Sequence, residues 1–243
     1  MRITNLGSGS SGNSYIVELT KTSLLIEAGL PYNKMIERLE ADRAGVLPQE
    51  VFITHEHGDH AKSARKLVEL GHNINASPGT LEALDIPEDV PGDIKPMSTD
   101  YLYTLEELLV FAFPVEHAAE DPRGFSIRDN ITGELLVFAV DISRIDYEFS
   151  ACTHLMIECN HDLTTISEKI HDIHAERSVG THYSIQDLRL YLEQVNMPKL
   201  QEIYLLHVSE SNMKKDNLEE FRNELIENYG IPVKIANKSG GWR

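Results

Sequence analysis

The chain has 243 residues, of which 39 are acidic and 22 are basic, and its formal net charge at pH 7 is −17. Its 41% of apolar and 25% of charged residues are typical of a folded domain and exclude a disordered chain. Two cysteines exclude a disulfide scaffold and favour a reducing, cytoplasmic location. No apolar run approaches the ~18 residues of a membrane span. Residues 1–6 lead directly into a Gly/Ser stretch, so we expect no signal peptide.

The first third of the sequence alternates between strand and helix patterns. A loop rich in glycine and serine covers residues 7–13, and apolar residues at helical spacing follow later. A buried strand leads into a group of histidines, and the helix after that group ends at Gly71. The predicted strands are residues 1–6, 14–19, 23–27 and 51–53, and the predicted helices are residues 31–44 and 61–70.

The middle of the chain is rich in strands, and the last third returns to alternating helices and strands. The predicted strands are residues 108–115, 124–128, 135–140, 155–158, 202–206 and 233–236, and the predicted helices are residues 164–173, 184–194 and 213–229. Two strand-rich regions, each accompanied by helices, favour an α/β class with two packed sheets and helices outside them. Clear linkers and repeats are absent from the sequence, so we predict one domain over residues 1–243.

The strongest chemical signal is the sequence His-Glu-His-Gly-Asp-His at residues 55–60. It directly follows a buried strand, where three histidines and two carboxylates would be costly to bury without partners. Imidazole and carboxylate groups are the ligands of zinc and similar divalent ions. Neighbouring side chains at the end of a strand can converge on one point, so we predict a metal site, with a solvated polar loop as the alternative.

One loop cannot enclose a metal ion, so further ligands are expected at the ends of other strands. His117, Asp141 and His207 each follow a predicted strand. Taken singly, each residue fits a turn or a helix cap. In a chain that already contains the histidine group at residues 55–60, the three together favour metal ligands.

This arrangement resembles the metallo-β-lactamase-fold hydrolases. Their motif is a strand ending in Thr-His-x-His-x-Asp-His, followed by a His, an Asp and a His at later strand ends, and here the motif begins at Thr54. The resemblance implies an αβ/βα four-layer sandwich of two mixed sheets with helices outside, and two divalent ions, Zn²⁺ or Mn²⁺. It also implies the ligands of each ion: His55, His57 and His117 for one, Asp59, His60 and His207 for the other, and Asp141 as the bridge.

A narrower resemblance is to the YycJ-like (WalJ) branch, which groups with phosphodiesterases and nucleases of this superfamily. It is carried by residues 6–14, 158–162, 180–184 and 207–209. Two positions depart from the pattern of the family. Glu27 stands where the family has an aspartate that orients the metal site, and Thr181 intervenes where a glycine usually precedes the histidine that is His182 here.

Asp59 and His182 are the predicted catalytic residues. His182 is the candidate for stabilising a phosphate or protonating the leaving oxygen, with a structural loop histidine as the alternative. Asn160 and Ser209 are expected either to contact the substrate or to support the ligands. Two metal ions would lower the pKa of bound water toward ~7 and make hydroxide available.

Three classes of function fit these residues. We predict a dinuclear-metal-dependent phosphodiesterase or nuclease that acts through a metal-activated hydroxide. The alternatives are a hydrolase of thioesters, lactones or similar carbonyl compounds, and a non-catalytic sensor or binding protein. The charge of −17 argues against a long duplex footprint. The expected substrate is a short nucleic acid, a duplex end or a nucleotide, with no membrane partner, and Lys62, Arg65 and Lys66 are candidate backbone contacts.

Overall fold

The computed structural model describes residues 1–42, 45–87, 89–99, 101–169, 175 and 178–243, and its first sheet follows the order of the chain. The strands of this sheet are β1 (Arg2–Gly7), β2 (Ser14–Glu18), β3 (Ser23–Ile26), β4 (Glu50–Phe52), β5 (Asn73–Ala76) and β6 (Ile94–Pro96). β1 to β3 pair antiparallel, whereas β3 to β6 pair in parallel. The carboxyl ends of β3 and β4 therefore lie at the same edge of the sheet.

The second sheet is also mixed and contains the later strands of the chain. These strands are β7 (Leu102–Leu105), β8 (Leu108–Pro114), β9 (Arg123–Asp129), β10 (Leu135–Ala139), β11 (His154–Glu158), β12 (Glu202–Leu206) and β13 (Val233–Ile235). β7 to β10 pair antiparallel, and β10 to β13 pair in parallel. The carboxyl ends of β10, β11 and β12 consequently stand side by side, which is where open α/β sheets bind ligands.

The two sheets pack face to face through large apolar side chains. Phe52 of the first sheet and Phe125 of the second meet edge to face, with ring centroids 5.3 Å apart. Successive side chains of a strand point to opposite faces of its sheet. In β12, Tyr204 therefore packs between the sheets, whereas Ile203 packs in the outer core against helices. This burial on both faces explains why the central strands are almost continuously apolar.

Helices cover the outer face of each sheet. In the described part of the chain they are α1 (Tyr32–Asp42), α2 (Gly58–Ala61), α3 (Ala64–Glu69), α4 (Pro78–Leu84), α5 (Leu163–Ser167), α6 (Ile185–Gln194) and α7 (Lys215–Tyr229). α1 and α3 pack on the first sheet, and α6 and α7 pack on the second. The resulting αβ/βα order of four layers confirms the predicted fold class. Among the helices of the described residues, none is long and apolar enough to span a membrane.

The structure differs from the predicted elements mainly between residues 61 and 107. The helix predicted over residues 61–70 is interrupted, because Ala28 takes up backbone groups of the turn between α2 and α3. Its N–H donates to His60 O at 2.7 Å, and its carbonyl accepts from the Ser63 N–H at 2.9 Å. Sequence analysis missed β5, β6, β7 and α4, whose short or polar sequences lack a clear period. Of the helix predicted over residues 164–173, α5 covers the part up to Ser167, residues 168–169 are not helical, and residues 170–173 lie outside the described residues.

Candidate metal centre

The carboxyl ends of the strands bring all seven predicted ligands into one cluster. The histidine group at residues 55–60 follows β4 and enters the first turn of α2, where Asp59 and His60 lie. His117, Asp141 and His207 follow β8, β10 and β12. Each of the seven residues belongs to a group whose ligand atoms lie within 4.8 Å of one another.

The first group contains three histidines and one carboxylate. His57 Nδ1 lies 3.1 Å from His55 Nε2 and 3.4 Å from His117 Nε2. Asp141 Oδ2 lies 3.7 Å from His55 Nε2 and 3.6 Å from His117 Nε2. Ligand atoms that surround a zinc ion tetrahedrally at ~2.1 Å are separated by about 3.4 Å from each other. The four side chains are therefore spaced as the ligands of one small divalent ion would be.

The second group shares Asp141 with the first. His60 Nε2 lies 3.2 Å from Asp141 Oδ2 and 3.5 Å from Asp59 Oδ2. His207 Nε2 lies 3.7 Å from Asp59 Oδ2, and His207 Nδ1 contacts Asp141 Oδ1. Asp141 thus stands between two sets of ligand atoms, at the position that a bridging carboxylate would take.

The chemistry of these donors fits divalent cations. His60 Nδ1 is buried without a hydrogen bond, and the Asp141 carboxylate is buried among imidazole rings of both groups. Burial lowers the pKa of His60, but the negative charges of Asp141 and Glu27 outweigh burial and raise this pKa well above its ordinary value. Burying such groups is costly unless their charges are compensated. A divalent cation would supply that compensation.

The Gly/Ser loop at residues 7–13 holds the second group of predicted ligands in place. The Asn13 backbone N–H donates to Asp59 O at 2.8 Å, and Asn13 Nδ2 lies 3.2 Å from His60 Nε2. Ser8 Oγ accepts from the backbone N–H of His207 at 2.8 Å. The loop therefore connects ligands that come from the two different sheets.

Gly29 allows the backbone at Asp59 to approach the first sheet closely. A Cβ atom at residue 29 would lie 1.7 Å from Asp59 O and 2.8 Å from Asn13 N. Both contacts are with backbone atoms, which cannot move away as a flexible side chain would. The position of Asp59 and His60 therefore depends on a glycine at residue 29.

Gly29→Ala is expected to lower the free energy of unfolding by about 1–3 kcal/mol or more, because the new methyl group overpacks the contact with Asp59. Metal content should fall with it, since Asp59 and His60 are displaced. Gly58→Ala is the matched control, because a Cβ atom there meets nothing within 4 Å. Thermal unfolding and metal analysis of both variants test this, and equal metal content in Gly29→Ala and wild type would contradict it.

Three site residues adopt a backbone conformation that side chains rarely take. Glu27, Asp141 and His207 have φ angles of 66°, 51° and 51°, in the left-handed region that strains non-glycine residues. Glu27 Oε1 lies 3.5 Å from His60 Nδ1, and both side chains are fully buried. The carboxylate of Glu27 therefore lies beside the ring of His60.

Glu158, at the end of β11, is a site residue that sequence analysis missed. Glu158 Oε1 lies 2.8 Å from His182 Nδ1, while Oε2 accepts from the backbone N–H groups of Ile142 and Tyr183. Burial raises the pKa of Glu158, but hydrogen bonds from His182 and His207 outweigh burial and lower it. An acidic residue directly after the apolar run at residues 155–157 was the available signal, because a buried carboxylate needs partners.

The cluster opens into a cleft of about 740 Å³ that His182 also lines. Apart from the ligands and His182, most of its lining side chains carry hydroxyl or amide groups: Ser8, Ser10, Asn160, Ser178, Thr181, Ser209, Ser211 and Asn212. Asn160 Nδ2 donates to His207 O at 2.8 Å, so this residue supports a ligand. Lys62, Arg65 and Lys66 do not line the cleft, whereas Lys238, which sequence analysis did not single out, does.

Comparison with known proteins finds relatives that cover most of the chain. The chain is 26% identical to the exodeoxyribonuclease YycJ of Bacillus anthracis, over 95% of this chain and 91% of that protein. It is also 26% identical to the exodeoxyribonuclease WalJ of Streptococcus pneumoniae, over 87% of this chain and 82% of that protein. Among solved structures, the metallo-β-lactamase fold protein YhfI from Bacillus subtilis is similar, with a TM-score of 0.71, 18% identity and coverage of 99% of this chain and 98% of that one.

The chain also matches the model of a protein family. The model described as the metallo-β-lactamase superfamily matches residues 7–149, which is more than half of the chain. The matched residues contain β2 to β10 and the ligands up to Asp141. On the strength of this match, together with a fold and a cluster of ligands that agree with it, the chain belongs to the metallo-β-lactamase superfamily.

Proposed function

We propose that this protein is a hydrolase that uses two divalent metal ions, and that it cleaves phosphodiester bonds of nucleic acid. The observation that carries the proposal is the sharing of Asp141 by two groups of ligand atoms at the base of an open cleft. Two ions held by these residues would form a clamp suited to an in-line displacement at phosphorus. The relatives named as exodeoxyribonucleases favour nucleic acid as the substrate.

The lining of the cleft supports a phosphodiester over an acyl substrate. Serine, threonine and asparagine side chains dominate the surface around the ligands, and Ala118 and Val208 are the apolar side chains that line it among the described residues. Hydroxyl and amide groups suit the phosphates and sugars of nucleic acid. The acyl chain of a thioester would favour an apolar pocket, which this cleft does not offer.

Each ligand has a proposed place. His55, His57 and His117 would hold one ion, Asp59, His60 and His207 would hold the other, and Asp141 would be a ligand of both. When bound, such ions lower the pKa of water and neutralise charge that develops on the phosphoryl oxygens. Zn²⁺ and Mn²⁺ both fit the mixed histidine and carboxylate donors. Asp59 Oδ2 faces His60 and His207, so this carboxylate contributes negative charge directly beside the reacting centre.

His182 and Glu158 form the proposed proton-donating pair. Because His182 Nδ1 is hydrogen bonded to Glu158, the Nε2 atom of the same ring is left for a group in the cleft. The carboxylate fixes the orientation of the ring and stabilises its protonated form. His182 then gives its proton to the leaving oxygen as the phosphorus–oxygen bond breaks, while hydroxide forms the new bond to phosphorus.

The proposed substrates are a short single strand, a duplex end or a nucleotide. The chain carries a charge of −17, so attraction for a polyanion has to come from the metal ions and from local cations. DNA is favoured by the names of the relatives.

The function is tested with purified protein and a panel of substrates. We expect hydrolysis of bis-p-nitrophenyl phosphate and of single-stranded DNA in the presence of Mn²⁺ or Zn²⁺, and none after chelation. RNA, cyclic nucleotides and an acyl thioester complete the panel. Turnover of the thioester alone would contradict the proposal and support the carbonyl hydrolase instead, whereas metal binding with no turnover of any substrate would favour a binding protein.

A further inference from the structure

A second groove continues from the cleft of the candidate metal centre. This groove has a volume of about 390 Å³ and lies between the loops that follow β12 and β13 and the start of α7. The cleft and the groove share five lining residues: Ser8, Val208, Ser209, Glu210 and Lys238. A chain molecule bound at the metal centre can therefore extend into the groove without leaving the surface.

The groove is basic, in contrast to the protein as a whole. Lys215, Lys238 and Arg243 line it, and Glu210 is the one acidic side chain among its lining residues. Lys238 is paired with Glu210 at 2.7 Å, and Arg243 lies 3.8 Å from Glu219. Both pairs are at least partly exposed, and ion pairs of that kind are weak. A phosphate can therefore displace these carboxylates from the cations.

Another part of the surface of α7 has the opposite charge. A separate depression on the same helix is lined by Asp216, Glu219, Glu220, Asn223, Glu224 and Glu227. The acidic depression repels a polyanion, whereas the basic groove attracts it. The charge of this region therefore favours a strand that runs along the groove. Serine and asparagine side chains of the groove, including Ser239 and Asn237, can donate hydrogen bonds to phosphate oxygens.

We propose that the basic groove binds backbone phosphates of the nucleic-acid strand that continues from the scissile phosphate at the metal centre. This inference rests on the proposed function and adds the path of the substrate. It explains how a protein with a charge of −17 retains a polyanion: the phosphates it neutralises are few and are confined to one groove beside the metal ions. A small phosphodiester occupies the metal centre alone and does not reach Lys215 or Arg243.

The test uses the metal-loaded protein and the double variant Lys215→Ala/Arg243→Ala. A phosphorothioate single strand that resists cleavage, labelled for fluorescence anisotropy, should bind the variant about tenfold or more weakly than wild type. The slope of log affinity against log salt should become shallower by about 1.4, because each single-strand phosphate that a cation neutralises contributes ~0.7 to this slope. In the same variant, kcat/KM should fall for single-stranded DNA and stay unchanged for bis-p-nitrophenyl phosphate.

Lys62→Ala/Lys66→Ala is the matched control, because it removes the same charge from exposed positions that line neither the cleft nor the groove. This control should bind and cleave the single strand as wild type does. Equal binding by wild type and the groove variant, or an equal loss in the control, would overturn the inference. If wild type hydrolyses neither phosphodiester, the proposed function fails, and the anisotropy measurement still decides separately whether the groove binds the strand.

Discussion

Asp141→Ala is expected to remove most of the bound metal and to lower turnover by about 10³-fold or more. The reason is that Asp141 contacts ligands of both groups, so its loss affects both ions at once. Bound ions supply several kcal/mol of transition-state stabilisation, and each ~1.36 kcal/mol is a factor of ten in rate. Metal analysis of wild type should give close to two ions per chain, and the variant should give clearly less.

Asp146→Ala is the control for this substitution. Asp146 follows the same strand but is exposed and pairs with Arg144, away from the cleft. Its replacement should change neither metal content nor turnover. Full metal content in Asp141→Ala would show that the carboxylate is not a bridge, and one ion per chain in wild type would remove the second site altogether.

His182→Ala is expected to leave metal content nearly intact and to lower turnover of single-stranded DNA by about 10²–10⁴-fold, the range for a lost general acid. The effect should depend on the leaving group. An alkoxide needs a proton to leave, whereas p-nitrophenolate leaves without one near neutral pH. The rate on bis-p-nitrophenyl phosphate should therefore fall much less. His72→Ala, which changes a histidine outside the cleft, is the control.

Glu158→Gln tests whether Glu158 acts through His182. If it does, the double variant Glu158→Gln/His182→Ala should lose no more activity than His182→Ala alone, since residues that act as a unit are not additive. A merely structural role would give additive losses on both substrates. Loss of metal in His182→Ala would instead identify His182 as a ligand, and an unchanged rate on DNA would make it a structural histidine.

The sequence was sufficient to predict which residues come together, because the group at residues 55–60 and the three later residues each follow an apolar strand. Parallel strands in the middle of a sheet end at the same edge, so His207 and Asp141 are neighbours although 65 residues separate them. Their roles as ligands stay predictions until metal is measured, as does the single domain over residues 1–243. Glu158 was missed because it is the last residue of its strand, whereas the predicted ligands all stand after the strands that carry them.

Other features depend on contacts that no local pattern contains. Lys238 lines the cleft because the loop that follows β13 lies next to the loop that follows β12. These two loops are far apart in the sequence, so only the folded chain brings them together. The close approach of Gly29 to Asp59 likewise joins segments 30 residues apart. Short edge elements such as β6, with the sequence Ile-Lys-Pro, have too few residues to show a period. The sequence pattern therefore could not predict these features, because they depend on tertiary contacts.

The left-handed backbone at Glu27, Asp141 and His207 limits how this scaffold can be improved by directed evolution. Glycine at each of these positions would relieve about 1 kcal/mol of strain, so a selection for heat resistance alone should favour it. Every such gain would delete a carboxylate or an imidazole from the metal centre. Stability and activity are therefore opposed at three known positions, and libraries that aim for a robust catalyst should leave those codons unchanged and search the outer helices instead.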